Sequence, residues 1–525
     1  MDFYAKLTLV DISVILAYLV FVILLGLYFG VKHKGAEDYF LAGRSLTWPL
    51  IGFSLFASNM SSNSLVGLTG AGYVTGFSVF SYEWMAVFVL ILFAIFFLPF
   101  YLRNKIYTVP EYLEQRFDYF TRAYASSIAI ILNVLVDIAA TLYAGGILVQ
   151  MIFPQFELWM IIAVLSIFAG LYTVSGGLSA VVYTDAVQAV ILIFGSILIT
   201  CFAWDASGGF AEVAKVTSAH HFDIIRPTTD PELPWPGLFT GVLLIGFYFW
   251  GTNQFITQRT LASKSTLHGQ WGSMFAGLLK LSILFIMIFP GAFARVLYPD
   301  FEVVDKLYAT MLFDLLPPGI LGLVLAGFIA ALMSSIDSGL NSVSTLVTMD
   351  FVNKWYPHKN QQQLMKVGRW VTFTVMVLAT LWAPQIVHFE KLWDYLQQAL
   401  SWFCPPIVAL FVVGLLWKGA NKTGAYACIA VGSVITVFSI IFNNADWKPH
   451  FLYMAGIHFL MACTAMVGGS FLGKKKSDDE LANVVWTVEH YRSETKILRD
   501  LPWYMNYRIH GLALVITVLV ILYIY

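Results

Sequence analysis

The sequence is short of charge. Of its 525 residues only 12% are Asp, Glu, Lys or Arg, about half the share of an average soluble domain, whereas 59% are hydrophobic and 16% aromatic. Mean hydropathy is +0.76. Apolar runs of about 20 residues, the length that crosses about 30 Å of hydrocarbon, recur along the whole chain, so the bilayer is the solvent and an ordinary soluble globular fold is excluded. A net charge of −1 and a pI near 6.8 leave no basic excess for nucleic acid and no acidic tail for a cationic partner. Cysteine is scarce as well. Cys201, Cys404, Cys428 and Cys463 lie in or beside apolar runs with no metal-clamp spacing, which argues against a disulfide framework. The sequence has no HExxH and no clear nucleophile–base pair, and Ser334 with Asp337 matches no triad spacing. The chain does not read as an enzyme.

The apolar run from Val10 to Val31, behind a single Lys6, is too long for a signal-peptide core and lacks a cleavage site, so it reads as a retained span. Further runs lie near 47–70, 78–102, 121–151, 157–174, 180–203, 237–257 and 271–294, then 318–349, 367–384, 392–417, 422–443, 450–472 and 505–524. The expectation is an all-α integral membrane protein with about fourteen transmembrane helices. With alternate loops assigned to opposite faces, 22 Lys and Arg fall on one side and 7 on the other, Lys280 alone being left within a span. Basic residues accumulate in the cytoplasm, which predicts both termini extracytoplasmic. The largest cytoplasmic segment is then the charged stretch 473–503, read as a solvated loop.

A few residues are expensive at membrane depth. Lys280 sits in LLKLSILFIMIFPG, and an ammonium there costs at least roughly 2.5–3.5 kcal/mol. Glu83, Asp137, Asp185 and Asp337 are the matching intramembrane acids. They are either functional or buried pairs that hold helices together. Two spans are interrupted by small and polar residues: SLFASNMSSNSLVGLTGAGYVTG and, five spans later, IGFYFWGTNQFITQRT. A membrane tolerates broken helices only around a cavity or an ion. Such a pair is the expected mark of an inverted-repeat transporter with its site at the midplane, close packing through small residues being the alternative. The ninth span carries Ser334, Ser335, Ser338, Ser342 and Ser344, hydroxyls suited to a hard cation or to helix–helix hydrogen bonds.

EDYFLAGRSL at 37–46, SYEWM at 81–85, YTVPEYLEQRF at 107–117, SGGLSAVVYTDAVQ at 175–188, FWGTNQFITQRTLASKS at 249–265, LLKL at 278–281 and MSSIDSGLNSVSTLVTMD at 333–350 appear in order. With them the chain resembles, almost end to end, the sodium/solute symporter family, in particular its sodium-coupled sugar branch. The resemblance implies a leucine-transporter-type core of two five-helix inverted repeats, at 47–203 and 237–417. Residues 1–46 then form an extra helix and loop, 204–236 an extracellular loop, and 418–525 three further helices. It implies a sodium ion (Na+) between the carbonyls of Ala57 and Met60 and residues Ala331, Ser334 and Ser335. A second sodium site, with Asp185 and Asp337, stays open. Asn59, Glu83, Lys280 and Gln397 match sugar-bonding positions and Trp250 an aromatic platform. Leu68, Tyr82 and Trp393 match an outer gate.

Four positions depart from the bacterial galactose carrier of that family: Ser64 for Gln in the sugar site, Gly246 for Asn, Ala86 for Ser, and Phe249 for the Tyr of the inner gate. Polar contacts are shortened or lost, and sites built to hydrogen-bond discriminate by them. The class of solute stands while the identity of the sugar opens, toward a bulkier or less hydroxylated hexose or inositol. The implied activity is sodium-coupled import of a sugar by alternating access. The alternatives are the same machine carrying sialic acid, a monocarboxylate or another small anion, or a sugar-gated sodium sensor or channel. Short loops and no clustered external cysteines point to a plasma membrane, specifically a bacterial inner membrane.

Overall fold

The computed structural model describes residues 6–30, 35–388, 392–442 and 449–525, with the side chains of 27, 30, 171–176, 388 and 392–395 also outside that description. Among the described residues the chain is helical, with two isolated β-bridges and no strand. In chain order the principal elements are α1 (Leu9–Gly30), α2 (Trp48–Asn59), α3 (Ser62–Val74), α4 (Phe77–Arg103), α5 (Tyr119–Ile152), α6 (Leu158–Ser207), α7 (235–252) and α8 (Gln254–Leu261). They continue with α9 (Thr266–Leu297), α10 (Ile320–Trp355), α11 (Gln361–Val387), α12 (Leu392–Leu416), α13 (Lys422–Ile441), α14 (Phe451–Phe471), α15 (Val488–Arg499) and α16 (Tyr507–Ile524).

Eleven helices among the described residues are long and apolar enough to cross a membrane. The expected count is about fourteen, and the difference lies in three segments. Two are the interrupted runs, now α2–α3 and α7–α8, none of whose pieces is both long and apolar enough to span alone. The third is the apolar Leu158–Gly170 stretch, which runs into the next span without a loop. Gly177 marks the bend inside α6: its φ is +54°, and a Cβ there would lie 2.6 Å from the Tyr39 carbonyl. Only glycine meets both demands cheaply.

Helix starts follow local chemistry. Asp118 caps α5 by accepting from Thr121 N at 3.0 Å, Asn360 and Gln363 form a reciprocal capping box on α11, and Asn421 caps α13. Each satisfies donors that the first turn leaves free. In the core α6 packs along α10 with α1 across both, and α2 lies against α9. Helices α3 and α9 touch backbone to backbone, since a Cβ on Gly291 would fall 2.1 Å from the Thr69 carbonyl.

The 473–503 stretch departs from the solvated loop expected of it. It folds into two short helices and straps the bundle through its backbone, with Tyr112 Oη donating to the Val484 carbonyl at 2.6 Å and Trp486 N to the Leu415 carbonyl at 2.8 Å. Val484, Val485 and Leu498 supply the buried apolar anchors that its charge content concealed.

Candidate functional site

The first break falls where α2 ends at Asn59. Met60 (φ −88°, ψ 78°) and Ser61 (φ −89°, ψ 173°) leave helical geometry, and the Ser61 hydroxyl accepts from Ser64 N to start α3. Carbonyls at a helix end have no following helical donor. Of the four at 57–60, Ser58 accepts from Ser335 Oγ at 3.4 Å and Asn59 from Ser64 Oγ at 3.0 Å. Those of Ala57 and Met60 are the other two. The second break falls at Asn253 (φ −78°, ψ 121°), whose side chain accepts from Phe255 N at 3.0 Å and caps α8.

Between the breaks lies a cavity of about 110 Å³. Asn59, Ser64, Glu83, Trp250, Lys280 and Gln397 all line it, as do Tyr82 and Phe249. The structure thus brings together from α2, α3, α4, α7, α9 and α12 every residue the resemblance places in contact with solute. Lys280 is 1% exposed; its ammonium pairs with the Glu83 carboxylate, donates to Asn59 Oδ1 and stands 5.5 Å from the Trp250 ring centroid. Ligand pockets usually hold about 300–1,000 Å³. A hexose therefore enters this volume only as the lining moves and the Lys280 contacts are shared with it.

Tyr82 and Gln397 also line a second cavity of about 180 Å³, together with Thr75, Glu232 and His450. These two side chains are shared by the walls of both volumes. Leu68 is fully buried and lines neither cavity. The Trp393 side chain lies outside the described residues. Of the four departures from the galactose carrier, Ser64, Gly246 and Phe249 face the central cavity, whereas Ala86 is buried elsewhere.

Ala57, Met60, Ala331, Ser334 and Ser335 are all buried where the end of α2 meets α10. Ser335 reaches the cavity wall. Ser334 Oγ donates to Asp185 Oδ1 at 2.5 Å, which turns the lone pairs of that hydroxyl away from the acid. Such an oxygen suits a hard cation. Asp185, fully buried, also accepts from Ser54 Oγ at 2.5 Å and Ser58 Oγ at 3.2 Å, and Arg259 Nη2 stands 3.5 Å away. Asp337 is fully buried on α10. Tyr18 of α1, which accepts from Gln188 Nε2 at 3.1 Å, lies within electrostatic range of both acids.

Two residues were not assigned to the site by sequence reasoning. Arg259 counts among the loop cations by position, yet it is fully buried, with Nε donating to Ser54 at 2.9 Å and its other nitrogens to Ser338 and the Phe255 carbonyl. The available signal was Asp185, a buried acid in need of a counter-charge, and an arginine six residues past a helix break. Asp137, recognised only as an intramembrane acid, lines the central cavity.

The sequence model of the sodium:solute symporter family matches residues 39–432. The chain is 33% identical to sodium/glucose cotransporter 4 of Danio rerio, covering 95% of this chain and 84% of that protein. It is also 33% identical to sodium/myo-inositol cotransporter 2 of Mus musculus, covering 91% and 79%. Among solved structures, the outward-open, substrate-bound state of a Na+-coupled sialic acid symporter superposes with a TM-score of 0.80 at 24% identity, over 90% of this chain and 99% of that one. A nucleobase-cation-symport-1 family transporter in a closed conformation gives 0.58 at 13% identity, over 86% and 99%. These likenesses assign the interrupted-helix bundle to a transporter fold of the leucine-transporter type. The match across three-quarters of the chain, together with relatives above 30% identity over nearly all of it, places this protein in the sodium:solute symporter family.

Proposed function

We propose that the protein is a sodium-coupled secondary active symporter that imports a neutral sugar or related polyol by alternating access. The carrying observation is the central cavity itself: a carboxylate, an ammonium and two amides, Glu83, Lys280, Asn59 and Gln397, converge beside the Trp250 ring. A sugar hydroxyl is both donor and acceptor, so such a mixed set bonds it without demanding a charged ligand. The glucose and myo-inositol cotransporters to which the chain is similar carry the same class of solute in their names. Sodium between the carbonyls of Ala57 and Met60 and residues Ala331, Ser334 and Ser335 ties the end of α2 to α10, stabilising the outward-open state before the sugar binds. One such charge crossing 100 mV gains about 2.3 kcal/mol, enough for roughly fiftyfold accumulation. Arg259 already faces Asp185, which favours one sodium; a second ion at Asp185 and Asp337 requires that guanidinium to withdraw.

Tyr82, Leu68 and Trp393 form the outer gate in this reading and Phe249 the inner one, with repeats at 47–203 and 237–417. The distribution of Lys and Arg supports both termini outside a plasma membrane. A bacterial inner membrane rests on short loops alone, and the animal relatives lend it no support. The sialic acid symporter with the same fold keeps an anionic cargo as the competing reading. Proteoliposomes offered labelled D-glucose, D-galactose, myo-inositol and sialic acid, with and without an inward sodium gradient, decide between them. Sodium-dependent accumulation of a neutral ring is expected; accumulation of sialic acid alone contradicts the solute assignment.

A further inference from the structure

One acid in the central cavity stands outside the Lys280 ion pair. Asp137 sits in a wide helical turn, Asn133–Ile138, inside α5, a local widening that occurs mostly as single turns at functional sites. Its Oδ2 is buried without a hydrogen bond, and the residue lines the same cavity as Glu83 and Lys280. Lys280 is already engaged by Glu83 and Asn59. The wall therefore presents two carboxyl groups to one committed cation.

Two positive helix ends converge on the α5 wall. Ser62, the first residue of the 13-residue α3, donates to the Thr141 carbonyl at 3.0 Å, one turn beyond Asp137. Asn253, the cap of α8, accepts from Asn133 Nδ2 at 3.4 Å, one turn before Asp137, and its side chain is the hydrogen-bonding neighbour of the Asp137 carboxyl. In transporters of this architecture the N-termini of half-helices point at anionic groups of the solute. Here the protein's own carboxyl occupies that wall.

We propose that Asp137 is a specificity-determining residue: its carboxyl accepts hydroxyl hydrogens from a neutral polyhydroxylated ring and, by standing on the α5 wall that the ends of both broken spans touch, denies that place to a carboxylate on the solute. The proposal deepens the sugar reading above and rests on it. A buried acceptor that loses its donor is costly, so the ring with the most hydroxyls around its edge gains most from two acids on the cavity wall.

The test compares D-glucose and myo-inositol with D-glucuronate, which is glucose with its terminal carbon oxidised to a carboxylate. Binding to the purified full-length protein in sodium buffer is measured by calorimetry and by competition. The wild type is expected to bind a neutral ring and to exclude glucuronate. Asp137→Asn is expected to weaken the neutral ring about tenfold or more, to let glucuronate compete, and to leave sodium affinity unchanged. Asp137→Glu keeps the carboxyl group and is expected to keep the exclusion. Should neither variant fold, competition on the wild type still decides, because displacement of the neutral ring by glucuronate overturns the proposal. An Asp137→Asn protein with unaltered affinity and unaltered exclusion overturns it too, while leaving the sugar reading intact. A wild type that binds neither neutral ring overturns the sugar reading and the proposal together.

Discussion

Exchange of Lys280 for alanine is expected to bring sodium-driven uptake down to the level of protein-free liposomes. Lys280 is 1% exposed and Glu83 5%, and their pair sits at the centre of the cavity with Asn59 as a third partner. Removing one member of a buried pair leaves the other charge uncompensated, at a cost of about 3–5 kcal/mol. That penalty falls on the site, on the fold, or on both. The double variant Glu83→Gln with Lys280→Met separates the two, since replacing both partners of a buried pair is often neutral for stability. It should recover the thermal stability lost in Lys280→Ala and still transport nothing. Full transport by the double variant would mean that the pair only holds α4 to α9.

Arg259→Ala is expected to have the second largest effect, through sodium. The guanidinium is fully buried, donates to Ser54, Ser338 and the Phe255 carbonyl, and faces Asp185 at 3.5 Å. Asp185 in turn orients Ser334, one of the oxygens proposed for sodium. Losing Arg259 strands that acid and frees the hydroxyl to rotate. The half-saturation for sodium should rise about tenfold or more, as for loss of a hydrogen bond to a charged group. Arg259→Lys should restore little, because a lysine cannot supply the fork that reaches three partners at once. Uptake measured against sodium concentration checks this. A variant with wild-type sodium dependence would detach the Arg259–Asp185 network from the ion.

Much of this was legible in the residues. The two interrupted spans announced themselves by Ser, Asn and Gly where Leu and Val belong, and both breaks fall inside the segments so marked, at Met60–Ser61 and at Asn253. Lys280 and Glu83 were conspicuous because charge is rare in this chain, and they pair. What escaped had no local signature. Arg259 lies two residues beyond the end of the apolar run expected at 237–257, where a cation normally reaches water; only the fold of α8 back into the bundle buries it. The strap at 473–503 was hidden because 12 of its 31 residues are charged, and charge reads as solvation. Three buried apolar side chains and backbone bonds to Leu415 and Tyr112 decide otherwise. The departures at Ser64, Gly246 and Phe249 were legible as substitutions, but that they line one cavity with Asp137 follows only from the packing of α3, α5 and α7.

Simultaneous recording of radioactive sodium and of the accumulated sugar in the same proteoliposomes tests the symport claim most directly. Each gradient is expected to drive the other: inward sodium concentrates the sugar, and an imposed sugar gradient moves sodium without any sodium gradient, in a fixed ratio. Sugar-evoked sodium entry with no movement of the sugar would make the protein a sensor, and sugar movement indifferent to sodium would remove the coupling altogether.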